Sequence, residues 1–378
     1  MNWLTGSKTG EIKRLIAQLA DPAHRSAAAR ALIELDAEAV TPLLELLQTK
    51  DLSLLAIYQQ ILAHIPSASQ PLIRLLSTAH PVIRGRAAEV FANSRDKKAV
   101  PALLDALQGD YFTVRSRAAL ALAAIGDPKA IPALLSALKD RETEVRIAAC
   151  VALGNFKDPS TFDDITNVLL DDPIIEVRQA AARALGNTGH PKAVPFLMEA
   201  LSDSYWWYER ESAAGDLLQA IEKMGREAVA PLIEGLQEKE GTVRKFAATL
   251  LGRIGDPRAI EPLGMALYDM HHDVGNASAQ ALALFGASAV GVLSPALSHP
   301  EMWIRIHAVR SLGQIDDRQT TPFLLRMLED PEREVQKRAI ESLGGRKEPS
   351  AVSALERIAG NRADRELASI AKSALAHK

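Results

Sequence analysis

The sequence predicts an all-α fold, a right-handed α-solenoid of about twelve two-helix repeats, and three observations carry that expectation. From Asp96 onward one 31-residue pattern is written twice: DKKAVPALLDALQGDYFTVRSRAALALAAIG, then DPKAIPALLSALKDRETEVRIAACVALGNFK. The same template lies over the rest of the chain, with no Ser/Gly linker or low-complexity stretch between copies. The composition is 47% hydrophobic but only 4% aromatic, which suits closely packed helices and argues against a β-sandwich or barrel.

The units fall at about 6–36, 37–66, 67–95, 96–126, 127–157, 158–189, 190–225, 226–255, 256–286, 287–316, 317–347 and 348–378. They make 1–378 one continuous array, in which the unit at 190–225 is longer and atypical. A helix pair of this length cannot bury its apolar face alone, so stacking on its neighbours supplies the core.

The first helix of a unit opens on turn chemistry: Asp127-Pro128, Asp158-Pro159, His190-Pro191 and Asp256-Pro257. Asp caps free backbone N–H groups, and a Pro in the first turn forfeits no hydrogen bond. A second Pro follows within that turn, as at Pro101, Pro132 and Pro262. Leu134, Leu135 and Leu138 then mark a buried stripe at helical spacing.

The second helix begins at a Val-Arg pair and is rich in Ala, which lets helix axes approach to the short end of the roughly 8–10 Å range. Gly126, Gly154, Gly186, Gly225, Gly252, Gly255, Gly286 and Gly313 lie near its end, where a left-handed residue stops a helix. An arginine recurs at its second position: Arg25, Arg84, Arg115, Arg146, Arg178, Arg244 and Arg305. With Asp110, Asp140 and Asp172 in the turns between helices, these predict a structural ladder of Arg–Asp contacts tying neighbouring turns together.

Formal net charge is −3, so no bulk basic field recruits nucleic acid. The single cysteine, Cys150, stands at an Ala-like helix position and reads as a buried thiol, which leaves no disulfide framework or Cys-based zinc site. The N-terminus shows no apolar h-region with a cleavage site. Uncharged runs from Leu52 to Ile73 and from Val274 to Pro300 keep the repeat phase and read as buried helix pairs, not membrane spans. A cytoplasmic protein is the expectation.

These units resemble HEAT-like repeats of the phycobilisome-lyase type, through D-P-x-A-[IV]-P-x-L-x-x-A-L and V-R-x-x-A-A-x-A-L-G. Asp127 to Gly154 and Asp256 to Ile260 carry the match, and the resemblance extends over essentially the whole chain. It implies the solenoid fold. For function it implies several classes, because the family includes chromophore lyases, a di-iron hydroxylase and plain adaptors.

Candidate functional residues lie where the repeat is broken. The seventh unit reads Tyr205-Trp206-Trp207-Tyr208, and four adjacent bulky rings cannot share one buried face. The equivalent turn reads Tyr268-Asp269-Met270-His271-His272-Asp273 in the ninth unit and His299-Pro300-Glu301-Met302-Trp303 in the tenth. One edge of the array is therefore aromatic and His-rich. A metal site there is not expected, since adjacent histidines point apart on a helix and turns stand roughly 10 Å from each other. The exposed, concave side of the second helices is the other candidate surface. It includes Gln179, Arg183 and Asn187, then Lys245, Thr249 and Arg253, then Ile306, Arg310 and Gln314, with Leu120 and Val151 more apolar.

The expected function is a non-enzymatic scaffold or adaptor that holds another protein or peptide in the concave groove and on the aromatic edge. No cofactor, metal or membrane enters that reading, and the oligomeric state is left open. The alternative implied by the resemblance is a chromophore-handling, phycobilin lyase-like protein, with Trp206 and Trp207 stacking on a tetrapyrrole. A deoxyhypusine hydroxylase-like di-iron enzyme would need His-Glu dipeptides, and none of the nine histidines is followed by Glu. A HEAT-like DNA glycosylase would need a basic groove, which the charge balance opposes outside Arg183, Arg253 and Arg310.

Overall fold

A computed structural model describes residues 2–202 and 211–376. Every regular element in them is helical, and they form an all-α solenoid fold that parts into two compact units, Met1–Gly189 and His190–Lys378.

In the first unit α1 (Asn2–Gln18) pairs with α2 (Arg25–Glu34), α3 (Ala37–Glu45) with α4 (Leu52–Ala63), and α5 (Ser69–Thr78) with α6 (Pro81–Ser94). The pairs α7 (Val100–Leu107) and α8 (Phe112–Ile125), α9 (Ile131–Ala137) and α10 (Thr143–Phe156), α11 (Phe162–Asp171) and α12 (Ile175–Thr188) complete it. In the second unit the pairs are α13 (Ala193–Ser202) and α14 (Glu211–Met224), α15 (Val229–Gly235) and α16 (Gly241–Ile254), α17 (Ile260–Ala266) and α18 (His272–Leu284). They continue as α19 (Val290–Leu293) and α20 (Met302–Gln314), α21 (Thr321–Arg326) and α22 (Arg333–Leu343), α23 (Pro349–Ala359) and α24 (Arg365–Ala376). Within each unit the even-numbered helices pack side by side, α8 between α6 and α10, and α18 between α16 and α20.

The entry to the first helices follows the cap chemistry of the sequence. The Asp127 carboxylate accepts from the Lys129 N–H at 3.0 Å, a short 3₁₀ turn runs over Pro128–Ala130, and α9 then starts with Pro132 at its second position. Asp96, Asp158, Asp256 and Asp317 make the same bond at 2.9, 2.8, 3.0 and 2.7 Å. At His190 the ring nitrogen takes the carboxylate's place, 3.2 Å from the Lys192 N–H.

One apolar position per repeat builds the core. Leu43, Leu103, Leu134, Leu197, Leu232, Leu263, Leu293 and Leu324 on the first helices are all 0% exposed. Leu122, Leu153, Leu185, Leu251, Leu282 and Leu312 answer them from the second helices and are as fully buried. Each is worth about 1.5–3 kcal/mol relative to an exposed side chain.

The glycines divide into two groups, which corrects the expectation that all of them stop helices. Gly126 and Gly255 do so, with φ of 73° and 70°. Gly154, Gly186, Gly252 and Gly313 instead lie inside α10, α12, α16 and α20. A Cβ on Gly154 would sit 2.7 Å from the Ala184 Cα, and one on Gly252 would sit 2.6 Å from the Ala281 Cβ. The reason is packing: a missing side chain is what allows neighbouring second helices to touch backbone to backbone. After α10 the left-handed position falls to Lys157, with φ of 54°.

Candidate functional site

The turns between paired helices are organised by the recurring arginine. Arg115 Nε and Nη2 donate to the two carboxylate oxygens of Asp140 at 2.7 and 2.8 Å, one repeat further on, while Nη1 donates to the carbonyls of Gly109 and Asp110. Arg146 holds Asp172, Arg244 holds Asp269 and Arg305 holds Asp330 in the same fork. Each aspartate also accepts a backbone N–H two residues on, so one carboxylate shapes its own turn and locks it to the preceding repeat. Burial opposes ionisation of Asp140 and Asp269, but the guanidinium and the turn N–H outweigh it and hold both below the ordinary carboxylate range.

The ladder does not include Arg25 and Arg84 as carboxylate rungs. Arg25 donates to the Leu19 carbonyl at 2.9 Å, and Arg84 donates to the Ala79 carbonyl at 3.1 Å. The physical reason at Arg84 is Tyr111, whose ring lies 5.6 Å beneath the guanidinium and takes the place of an ionic partner. Arg178 donates to the Leu169 carbonyl at 2.7 Å.

Two such joints, Arg244–Asp269 and Arg305–Asp330, flank the edge of the second unit, and between them, where Gly275 holds the arginine position, ring contacts join the turns. His271 lies over Gly241, whose added Cβ would sit 3.2 Å from the imidazole ring. Tyr268 stands 5.5 Å, ring to ring, from His299 of the next turn. His272 stands 5.6 Å from Trp303 and 4.6 Å from His307. The structure thus brings Tyr268, His271, His272 and Trp303 into one continuous edge. Tyr268 is 41% exposed and Met270 87% exposed, while Trp303 is half-buried, packed over Gly275.

Sequence reasoning missed two parts of this edge. The first is His307 on α20, 4% exposed, whose Nε2 meets no hydrogen-bond partner among the described residues. Burial first, then His272 and Arg310, depress its pKa to about 4. Its signal was a lone polar ring at an Ala-like position of the repeat. The second is the methionine set: Met265, Met270 and Met302 all stand out from this edge among the exposed large apolar side chains.

The remaining candidates lie elsewhere. Tyr205, Trp206, Trp207 and Tyr208 fall outside the described residues. Arg183 is exposed on α12 of the first unit; Arg253 and Arg310 are exposed on α16 and α20 of the second. Arg253 is paired to Glu222 at 2.7 Å. Gln179, expected on the exposed side, is buried instead, because α12 turns that position into its contact with neighbouring helices. Leu120 and Val151 are exposed as expected, at 42% and 36%. Among the described residues no group of three or more His, Cys, Asp or Glu is placed to hold a metal, and no helix is long and apolar enough to cross a membrane.

Comparison with known proteins bears on the fold. No curated protein sequence matches the chain. Its structure is similar to Kap121p bound to Pho4p, with a TM-score of 0.51 at 16% identity, over 88% of this chain and 45% of that one. The chain therefore spans less than half the length of Kap121p. It is also similar to the CpcE–CpcF complex of phycocyanin lyase from Nostoc sp. PCC7120, with 21% identity, 59% of this chain, 91% of that one and a TM-score of 0.37. Human deoxyhypusine hydroxylase in complex with glycerol aligns at 21% identity over 69% of this chain and 98% of that one, with a TM-score of 0.31. The PBS lyase HEAT-like repeat pattern matches residues 25–49. The HEAT repeats pattern matches residues 69–143, 131–218, 215–283 and 290–376, more than half of the chain, and on that ground this protein belongs to the HEAT repeat family.

Proposed function

We propose that this protein is a non-enzymatic scaffold that binds another protein, working in the cytoplasm. The observation that carries the reading is the turn edge of the second unit. Side chains there are held by Arg–Asp joints yet leave Met270 87% and Tyr268 41% exposed, an investment in rigid, accessible apolar surface that folding alone does not require. The Kap121p structure, in which a protein of the same fold is bound to Pho4p, is consistent with protein binding by such arrays. On the second unit Arg253 and Arg310 offer a further surface for a partner, and on the first unit Arg183, Leu120 and Val151 offer another.

The test is affinity capture from native lysate with the wild-type chain, a Tyr268→Ala/Met270→Ala variant and an Arg253→Ala/Arg310→Ala variant. A protein recovered by wild type and lost from a variant whose helical signal is intact supports the scaffold. Recovery of nothing beyond what an unrelated helical protein recovers sinks it. A co-purified pigment absorbing in the visible would turn the reading towards chromophore handling.

A further inference from the structure

We infer that the turn edge of the second unit is a docking site for a positively charged amphipathic helix of a partner protein. This inference rests on the scaffold reading and names the chemistry of its partner.

The centre of the edge is apolar and adaptable. Met265 is 65% exposed, Met270 87% and Met302 37%, with Tyr268 among them at 41%. Methionine has an unbranched, polarisable side chain that moulds itself to varied apolar surfaces, so exposed methionines on two consecutive repeats offer a contact surface with little shape demand. Successive turns are joined by the His271–Gly241 and Tyr268–His299 contacts, so these side chains share one surface.

The spacing fits a helix. Met270 lies in the turn before α18 and Met302 opens α20, on consecutive repeats whose equivalent positions stand about 10 Å apart. Two turns of an α-helix advance about 10.5 Å, so apolar residues seven apart on a docked helix match the spacing of consecutive repeats.

The rim sets the charge of the partner. Glu238, Glu240 and Glu301 are exposed and have no ion pair among the described residues, and Lys239 stands exposed between the first two. Asp273, also exposed, is approached by Lys245 at 3.7 Å and by the His272 ring nitrogen at 3.8 Å. Asp269 is already consumed by Arg244. Four carboxylates against Lys239 and Lys245 leave the rim net negative, which complements lysines flanking an apolar stripe and repels an acidic helix of the same shape.

The experiment uses the full chain with ¹³C-methyl methionine, in which Met198, Met224 and Met327 are buried internal controls. The probe is a 14-residue amidated Leu/Lys amphipathic peptide, set against its Leu/Glu counterpart. The expected result is shifts confined to Met265, Met270 and Met302 with the Leu/Lys peptide, fading as salt rises to 0.5 M, and none with Leu/Glu. Glu238→Lys with Glu240→Lys weakens the titration about tenfold at low salt. Absence of shifts at millimolar peptide overturns the inference, as do equal shifts with both peptides or binding that moves other methionines instead. A partner captured by wild type and retained by Tyr268→Ala/Met270→Ala would refute this site while leaving the scaffold reading standing.

Discussion

Arg115 and Asp140 meet as a two-pronged pair, with Nε and Nη2 at 2.7 and 2.8 Å from the two carboxylate oxygens, across the joint between consecutive repeats. Both side chains are largely buried, 8% and 14% exposed. The remaining guanidinium donors are taken by the carbonyls of Gly109 and Asp110, which no lysine can reproduce from a single ammonium. Arg115→Lys should therefore destabilise the first unit by about 2–4 kcal/mol, somewhat less than the roughly 3–5 kcal/mol of removing one partner of a buried pair, because the ammonium keeps the charge. Urea unfolding measures it. A double-mutant cycle with Asp140→Ala should return a coupling above about 1 kcal/mol, and simple additivity would mean that the fork contributes nothing across the joint.

His307 gives the second unit an acid limit. Its pKa is about 4 in the folded chain and the ordinary 6.5 in the unfolded one, so the unfolded state binds the proton more readily. The stability associated with the neutral ring is fully present above pH 6.5 and drains away as pH falls towards 4. It amounts to at most on the order of 3 kcal/mol. His307→Leu should flatten the fall between pH 6.5 and 4, read as the thermal midpoint of the chain at each pH. The fluorescence of Trp303, 5.6 Å from the imidazole, should lose its titration in the same window. An unchanged pH profile in His307→Leu would refute the assignment.

The two classes of glycine should respond with different costs. In an isolated helix Ala is favoured over Gly by about 1 kcal/mol, so propensity alone predicts that Gly154→Ala stabilises. The Ala184 backbone stands 2.7 Å from where that methyl would go, and backbone cannot step aside. We expect a loss of about 1–3 kcal/mol, the usual cost of overpacking. Gly126→Ala meets no neighbouring atom but forces a side chain to φ of 73°, at a cost of about 1 kcal/mol. Equilibrium unfolding of the two variants separates these cases, and a stabilised Gly154→Ala would show that the helices can part.

The fold was legible because each repeat states it again. The Asp-Pro cap, the one deep leucine and the Ala-rich second helix recur at nearly fixed spacing, so chance matches at one position are corrected by the others. The recurring arginine was legible for the same reason, and its partner aspartate lies 25 or 26 residues on, in the turn just before the next repeat's arginine. What the period cannot carry is whatever differs between copies. Gly154 and Gly126 look alike in sequence, because a close approach of backbones depends on which residue of the next helix faces it. His307 reads as any polar residue until α18 brings His272 to 4.6 Å. Met270 and Met302 stand in turns the sequence singles out, but their exposure is not legible there, since burial in a turn is decided by the neighbouring turn.

Cys150 provides a reporter for opening of the first unit. The thiol is 0% exposed on α10, and burial pushes its pKa up to about 12. Only the thiolate reacts, so at pH 8 roughly one molecule in ten thousand would carry it even with free access. Modification by a maleimide should therefore be negligible in the native state and proceed through openings that separate α10 from its neighbours. Urea should raise the labelling rate in parallel with unfolding, and Arg115→Lys should raise it further, because that substitution loosens the α8–α10 joint itself. Gly313→Ala, in the second unit, should leave the rate unchanged if the units open independently, and should raise it if they unfold as one array. Complete labelling within minutes in native buffer would place the thiol at the surface and refute the packing of α10 between α8 and α12.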